Sequence, residues 1–194
     1  MLARNTTWTF SRDVDLKFEF VGVNYYDGQG FMAKADLGVS SATELDGATV
    51  CIQTGTTTEL NLADFFRSNN MSYEAVPVET GSEAVTNYLA GACDVFTTDR
   101  SALAARRANF EVPTDHVVLP EIVSKEPLGP LVRHGDNNWG DVVRWTLNAL
   151  ITAEELGVTS ANLEEMSKGT NNPEMNRLLC LLYTSPSPRD QVVS

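Results

Sequence analysis

The stretch Cys51-Ile-Gln-Thr-Gly-Thr-Thr-Thr-Glu59 constrains this chain more than any other. It begins inside Ala48-Thr-Val-Cys-Ile-Gln53, whose core-side positions are apolar and β-branched, the pattern of a buried strand. Gly55 then permits a sharp turn and a close backbone approach to a ligand. Thr56 and Glu59 have the Thr-x-x-Glu spacing of a capping box, so a helix opens here and runs on through Leu60, Leu62, Ala63, Phe65 and Phe66. The first N–H groups of a helix lack internal partners and the helix dipole favours an anion there. Threonine hydroxyls beside those N–H groups can hold a small anion such as a carboxylate. An ordinary capped helix after a strand accounts for the same residues, and this stretch alone leaves both readings open.

The flanking chain repeats the motif's alternation. Leu45-Asp-Gly47 reads as a turn into the first strand. After the helix, Tyr73–Val78 predicts a strand, and Ser82–Leu89 a helix with Val85 and Leu89 on one face and Gly91 placed to end it. Cys93–Thr97 predicts the next strand, with Thr98 and Asp99 just past its end; Ser101–Ala108 follows as helix and His116–Leu119 as strand. That order predicts an α/β fold with a mostly parallel sheet covered by helices. In open sheets of this kind ligands sit beyond the carboxyl ends of the strands, where Thr54–Thr57 and Asp99 fall. Upstream, Arg4–Asp13 is polar, and Lys17–Val23 and Gly30–Ala33 are extended. Downstream, Glu121–Arg133, with Pro127 and Pro130, is irregular and is expected to cross between two lobes. Trp139–Glu155 has the helical period, with Val142, Val143, Leu147, Leu150 and Ile151 on its apolar face. Short helices are expected around Ala161–Met166 and over Pro173–Leu179. Residues 180–194 are Ser/Pro-rich with no helix or strand period, and read as a non-native tail outside the fold.

Composition narrows the function classes. With 194 residues there is room for one ordinary domain or two small lobes. Fourteen basic against 26 acidic residues give a net charge of −12, which argues against nucleic acid and anionic membrane surfaces as partners. Any anion site must therefore be local. No run reaches the length of a transmembrane helix, so direct membrane insertion is not expected. The opening Met-Leu-Ala-Arg-Asn-Thr-Thr lacks the pattern of a secretory signal, which points either to the cytoplasm or to a start further upstream. Cys51, Cys93 and Cys180 form no Cys-x-x-Cys pair and His116 and His134 lie far apart, so neither metal nor cofactor is expected. No nucleophile elbow, phosphate loop or zinc-protease motif occurs, and both histidines read as structural.

A binding role needs fewer parts than an enzyme. A zwitterion such as an amino acid wants a cation and N–H donors for its carboxylate, and an anion and carbonyls for its ammonium. Arg12 could grip a carboxylate in bidentate fashion, with Thr57 and the helix N-terminus completing the clamp, and Asp99 could hold the ammonium. The alternatives are Arg12 as a surface charge and Asp99 as the N-cap of the helix that follows it.

These residues carry a resemblance. Arg4-Asn-Thr-Thr-Trp-Thr-Phe-Ser-Arg-Asp13, Tyr25-Tyr-Asp-Gly-Gln-Gly-Phe31, Cys51–Leu62, Cys93-Asp-Val-Phe-Thr-Thr-Asp99 and Leu119-Pro-Glu-Ile-Val-Ser-Lys-Glu-Pro-Leu-Gly129 resemble the general L-amino-acid-binding subgroup of the bacterial extracellular solute-binding proteins, family 3. The similarity runs from about Ala3 to Leu179. It implies two α/β lobes of the periplasmic-binding-protein type, joined by two crossover strands and closing over one amino acid. Residues 1–32 would be the end of lobe one with the first hinge strand, 33–121 lobe two, and 122–179 the second hinge strand with the C-terminal helices of lobe one. The hinges would lie near Gly30–Ala33 and Glu121–Lys125. The resemblance implies Arg12 as the carboxylate clamp, Thr7 and the backbone of Asn5 as further contacts, and Thr56 and Thr57 after Gly55 as carboxylate binders. Gln53 would border the pocket and Asp99 would bind the ammonium.

In such proteins a secretory signal and a large first part of lobe one precede the point where this chain opens. That part would supply the groups around the ligand side chain, so side-chain specificity is not written here. Export to the periplasm would allow a Cys51–Cys93 disulfide, with two buried thiols as the alternative. The implied partners are an L-amino acid and the membrane permease of an ABC transporter, engaged by a monomer. A dehydratase or lyase on the same fold, or an amino-acid sensor module, are the competing readings, and no general acid with a specific signal supports the first.

Overall fold

The computed structural model describes residues 1–184, and side chains only as far as 179. Two compact units divide the chain: Met1–Arg4, Phe10–Asn24 and Gly129 onward form one, Asn5–Thr9 and Tyr25–Leu128 the other. The chain thus leaves the first unit for good stretches at Tyr25 and returns at Gly129, where the sequence reading places the changes at 32/33 and 121/122.

The elements in order are β1 (Phe18–Phe20), β2 (Tyr25–Asp27), β3 (Gln29–Lys34), β4 (Ala48–Gln53), α1 (Thr57–Ser68), β5 (Tyr73–Val78), α2 (Gly81–Leu89), β6 (Val95–Asp99), α3 (Arg100–Ala108), β7 (His116–Val118), β8 (Glu126–Leu128), β9 (Leu131–Arg133), α4 (Asn137–Glu155), α5 (Leu163–Ser167) and α6 (Pro173–Thr184).

The larger unit holds a five-stranded sheet in the order β5-β4-β6-β3-β7. β5, β4 and β6 run parallel, and β3 enters antiparallel to both β6 and β7. The expected mostly parallel sheet is therefore present with one reversed strand in it. Gly30–Ala33, expected at a hinge, lies inside that strand, whose first five residues are all buried. Pro77 is tolerated because β5 is an edge strand, where a missing N–H breaks no inner ladder. Strand alternation gives the sheet two cores. Phe31, Val50, Ile52 and Val95 face Leu62 and Phe66 of α1 on one side. Met32, Cys51 and Phe96 face Ala84 and Tyr88 of α2 and Leu103 of α3 on the other. The buried face of α2 is thus Ala84 and Tyr88, while Leu89, expected inside, is 46% exposed.

The Cys51–Cys93 disulfide is formed, with an S–S distance of 2.05 Å, in the core beneath α2 and α3. It joins β4 to the turn before β6. Two short antiparallel pairs complete the strands: β2 with β8 in the larger unit, and β1, within the expected extended stretch Lys17–Val23, with β9 in the smaller.

In the smaller unit Val21, Val132 and Val143 make a small cluster under α4. Asp136 caps α4 by accepting from the Trp139 N–H at 3.0 Å. Of the apolar face expected on α4, Val143 and Leu147 are buried, but Val142, Leu150 and Ile151 are exposed. Ser11–Asp15 forms a π-type turn that the polar sequence did not suggest. α6 continues to Thr184, five residues beyond the expected end at Leu179; leucines 181 and 182 are good helix formers and nothing breaks the helix before Pro186. The rest of the expected non-native tail, 185–194, lies outside the described residues.

Candidate functional site

The groups of interest collect at the carboxyl ends of β4 and β6 and beside β8, all in the larger unit. Gly55 (φ +70°) makes the turn between β4 and α1 in the left-handed region that glycine adopts without strain. The expected Thr56–Glu59 capping box is not made. Glu59 reaches back to accept from the Gly55 N–H at 3.0 Å, but Thr56, the N-cap, gives no side-chain cap. Its hydroxyl donates to the Gln53 carbonyl at 2.8 Å instead. The first turn of α1 therefore keeps N–H groups without a helical or Thr56 acceptor, the setting in which an anion is stabilised. Gln53 is half-buried at the end of β4, and its amide donates to the Glu79 carbonyl at 3.0 Å.

Asp99 ends β6 and is 6% exposed. The sequence left it as either a helix cap or an ion-binding group, and its side chain makes no cap bond. Asp27 takes that role: its carboxylate accepts from the Ser101 N–H at 3.3 Å and from the Ser101 hydroxyl, while Arg100 N–H donates to the Gly28 carbonyl at 2.9 Å. α3 is thus capped from β2, and Asn5 Nδ2 donates to the Asp99 carboxylate at 2.8 Å.

Asn5 and Thr7 group with the larger unit. Thr7 forms an antiparallel bridge with Leu128, and the Trp8 N–H donates to the Pro127 carbonyl at 2.8 Å, so the segment runs along β8. Arg12 lies in the other unit, half-buried on the Ser11–Asp15 turn.

Sequence reasoning missed Glu126. This carboxylate, only 2% exposed, opens β8. Four side chains donate to it: Asn61 Nδ2 at 2.8 Å and Ser124 Oγ at 2.7 Å to Oε1, and Thr57 Oγ1 at 3.4 Å with Thr7 Oγ1 to Oε2. Thr7 and Thr57 also approach each other, Oγ1 to Oγ1 at 3.5 Å. Gln29 was missed too. It stands in register opposite Asp99, wholly buried, and its amide donates to the Thr58 carbonyl at 3.1 Å and to Thr97 Oγ1 at 2.9 Å. Its Oε1 has no hydrogen-bond partner among the described residues, a buried acceptor that ordinarily costs stability unless something fills it. The one local signal for any of these was Asn61, four residues after Thr57 and so on the same side of α1.

No group of three or more potential metal ligands occurs among the described residues. None of their helices is long and apolar enough to cross a membrane.

A sheet with helices on both faces, polar groups gathered at its strand ends, and a second α/β unit reached by two returns of the chain define a periplasmic-binding-protein-like fold. Solved structures agree. A periplasmic binding protein of an ABC transporter from Brucella ovis, with glutathione bound, superposes with a TM-score of 0.85 at 55% identity over 91% of this chain and 56% of that one. An arginine-bound arginine-binding protein from T. maritima, at 22% identity and a TM-score of 0.64 over 75% of this chain and 65% of that one, shares the fold. Among curated proteins, the chain is 63% identical to the glutamate/glutamine/aspartate/asparagine-binding protein BztA of Rhodobacter capsulatus, over 93% of this chain and 54% of the relative. It is 55% identical to the general L-amino acid-binding periplasmic protein AapJ of Rhizobium johnstonii, over 92% and 52%. No family model matches the chain. The chain is similar to amino-acid-binding periplasmic proteins of ABC transporters, and it spans about half the length of the curated relatives it matches.

Proposed function

We propose that this chain is the amino-acid-binding part of the substrate-binding component of an ABC uptake system, and that it works as a binding protein, not as an enzyme. The 63% identity over 93% of the chain to a protein named for binding glutamate, glutamine, aspartate and asparagine carries this reading. In it, Asp99 receives the ligand's α-ammonium, with Asn5 holding the carboxylate in place. Arg12 and the N–H groups that open α1 at Thr56 and Thr57 receive the α-carboxylate, beside Gly55 and Gln53. Thr7 contributes a further contact. The protein serves in the periplasm as a monomer and delivers its amino acid to a membrane permease. Two features support the assignment of Asp99: it is buried at a strand end, and another residue relieves it of helix capping.

The test is thermal unfolding by circular dichroism with a panel of L-amino acids and one D-enantiomer. Ligand at a hundred times its Kd adds about 2.7 kcal/mol to the folded state, which raises the midpoint visibly. The expected result is a higher midpoint with L-amino acids and none with the D form. Arg12→Ala and Asp99→Asn should each weaken binding by about 2–5 kcal/mol, because each strips a desolvated ligand charge of its partner. A cooperative transition that no amino acid moves would overturn the reading.

A further inference from the structure

Gln29 is wholly buried at the start of β3, and the amide of its side chain ties two other elements together. Its Nε2 donates to the Thr58 carbonyl in the first turn of α1 at 3.1 Å and to Thr97 Oγ1 on β6 at 2.9 Å. The direction of the second bond is fixed. The Thr97 hydroxyl gives its only proton to the Gly30 carbonyl at 2.7 Å, so it meets the amide as an acceptor. The nitrogen therefore faces two acceptors, and the amide has one orientation. The backbone beneath is held as tightly: the Gln29 N–H donates to Ser124 Oγ at 3.1 Å, and a Cβ on the preceding Gly28 would stand 2.7 Å from the Ser124 carbonyl. Packing alone does not ask for glutamine here. A methionine or leucine would fill a similar volume without an Oε1 that lacks a hydrogen-bond partner among the described residues. What glutamine adds is the pair of N–H bonds to α1 and β6.

We infer that Gln29 is a positioning residue that fixes the spacing between the first turn of α1 and the end of β6, and with it the separation of carboxylate and ammonium that the site accepts. The inference rests on the amino-acid-binding reading above and deepens it. In that reading the α-carboxylate lies at the N–H groups of Thr56 and Thr57, beside Thr58. The α-ammonium lies at Asp99, two residues beyond Thr97 and in register opposite Gln29. Each partner of the Gln29 amide is thus one or two residues from a group that receives one end of the ligand. In an α-amino acid both charged groups sit on one carbon, so their separation hardly varies. A site whose halves belong to a helix and a strand matches that separation only if the two elements are held at a set distance. The apolar contacts of Leu62 and Phe66 with the sheet are non-directional and tolerate sliding, whereas the two amide bonds are directional and do not.

The test compares L-glutamate with 3-aminoglutarate, its isomer with the amino group moved one carbon away from the α-carboxylate. The two carry the same charged groups and differ in how far apart these stand. Titration calorimetry on the whole chain gives the Kd of glutamate, and competition against glutamate gives that of the isomer. The wild type is expected to favour glutamate. Gln29→Met keeps the length of the side chain and loses both N–H donors. It should lower the isomer-to-glutamate Kd ratio by roughly tenfold, because a loosened spacing penalises the ligand that fitted it. Thr97→Val keeps the shape and removes one acceptor; it should lower the ratio by about threefold, and it decides the question if Gln29→Met fails to fold. Thr97→Ser keeps the hydroxyl and should return the wild-type ratio. An unchanged ratio in Gln29→Met or Thr97→Val, whether both affinities fall together or neither moves, makes the amide merely structural and overturns the inference alone. So does a Thr97→Ser ratio as low as that of Thr97→Val, or a wild type that binds the isomer as tightly as glutamate. A wild-type chain that binds no amino acid overturns the receptor reading and the inference together.

Discussion

The two units solve the same packing problem to different depths. In the larger one, helices cover both faces of the middle of a five-stranded sheet, and Phe31, Val50, Leu62, Phe66, Tyr88 and Phe96 are at most 2% exposed. In the smaller one, two three-residue strands and α4 cover a cluster of three valines, while Trp145 is 67% exposed, Leu150 64% and Phe10 75%. Amphipathic helices of equal sequence quality thus end in different states. α1 finds a sheet face wide enough to take its apolar stripe. α4 finds one wide enough for Val143 and Leu147 alone. The period of a helix states which face wants burial, and the size of the surface opposite decides how much of that face is buried.

Mutations can sharpen that contrast. The largest effect is expected from Phe66→Ala, which opens a cavity among Phe31, Phe65 and Tyr73. Chemical denaturation should show a loss of about 3–5 kcal/mol. A loss under 1 kcal/mol would mean the larger unit is as loosely packed as the smaller. Next comes reduction of Cys51–Cys93, whose sequence separation of 42 residues corresponds to about 4 kcal/mol of chain entropy in the loop-closure treatment. Hydrogen exchange after reduction should rise in β4, α2 and β6 and leave α4 and α6 as they were. Equal acceleration in both units would break the comparison by showing that they unfold together.

A smaller effect is expected from pH. Burial holds the His116 imidazole below its ordinary pKa of 6.5, with smaller contributions of both signs from nearby charges, and Tyr88 Oη lies 2.8 Å from its Nδ1. The unfolded chain therefore takes up the proton more readily. The stabilisation is complete above about pH 6.5 and is lost as pH falls from there toward the folded value. Midpoints measured from pH 7.5 to 5.5 should fall more steeply in the wild type than in His116→Gln. Least of all, Trp145→Ala on the exposed side of α4 should stay within about 0.5 kcal/mol of the wild type. A loss of 2 kcal/mol or more there would show that the smaller unit relies on a contact that solvent exposure does not reveal.

Local chemistry made the central motif readable. The strand Ala48–Gln53, the turn at Gly55 and the helix after it depend on residues within a few positions of one another, and β4 and β5 begin and end where the sequence places them. The α/β order, Asp99 at a strand end and the end of α2 at Gly91 follow from similarly short spacings. What the sequence by itself could not determine is everything fixed across the sheet. The reversed β3 enters between β6 and β7, and no local signal encodes its neighbours. The role of Asp99 depended on whether some other group capped α3, and that group is Asp27, more than seventy residues earlier in the chain. Glu126 sits in a proline-containing stretch that carries no period, and its meaning comes from Thr7 and Thr57, brought to it by the pairing of β8. Propensity and periodicity act over a turn or two of chain. The polarity of a buried hydroxyl is set by whichever acceptor the tertiary structure places beside it.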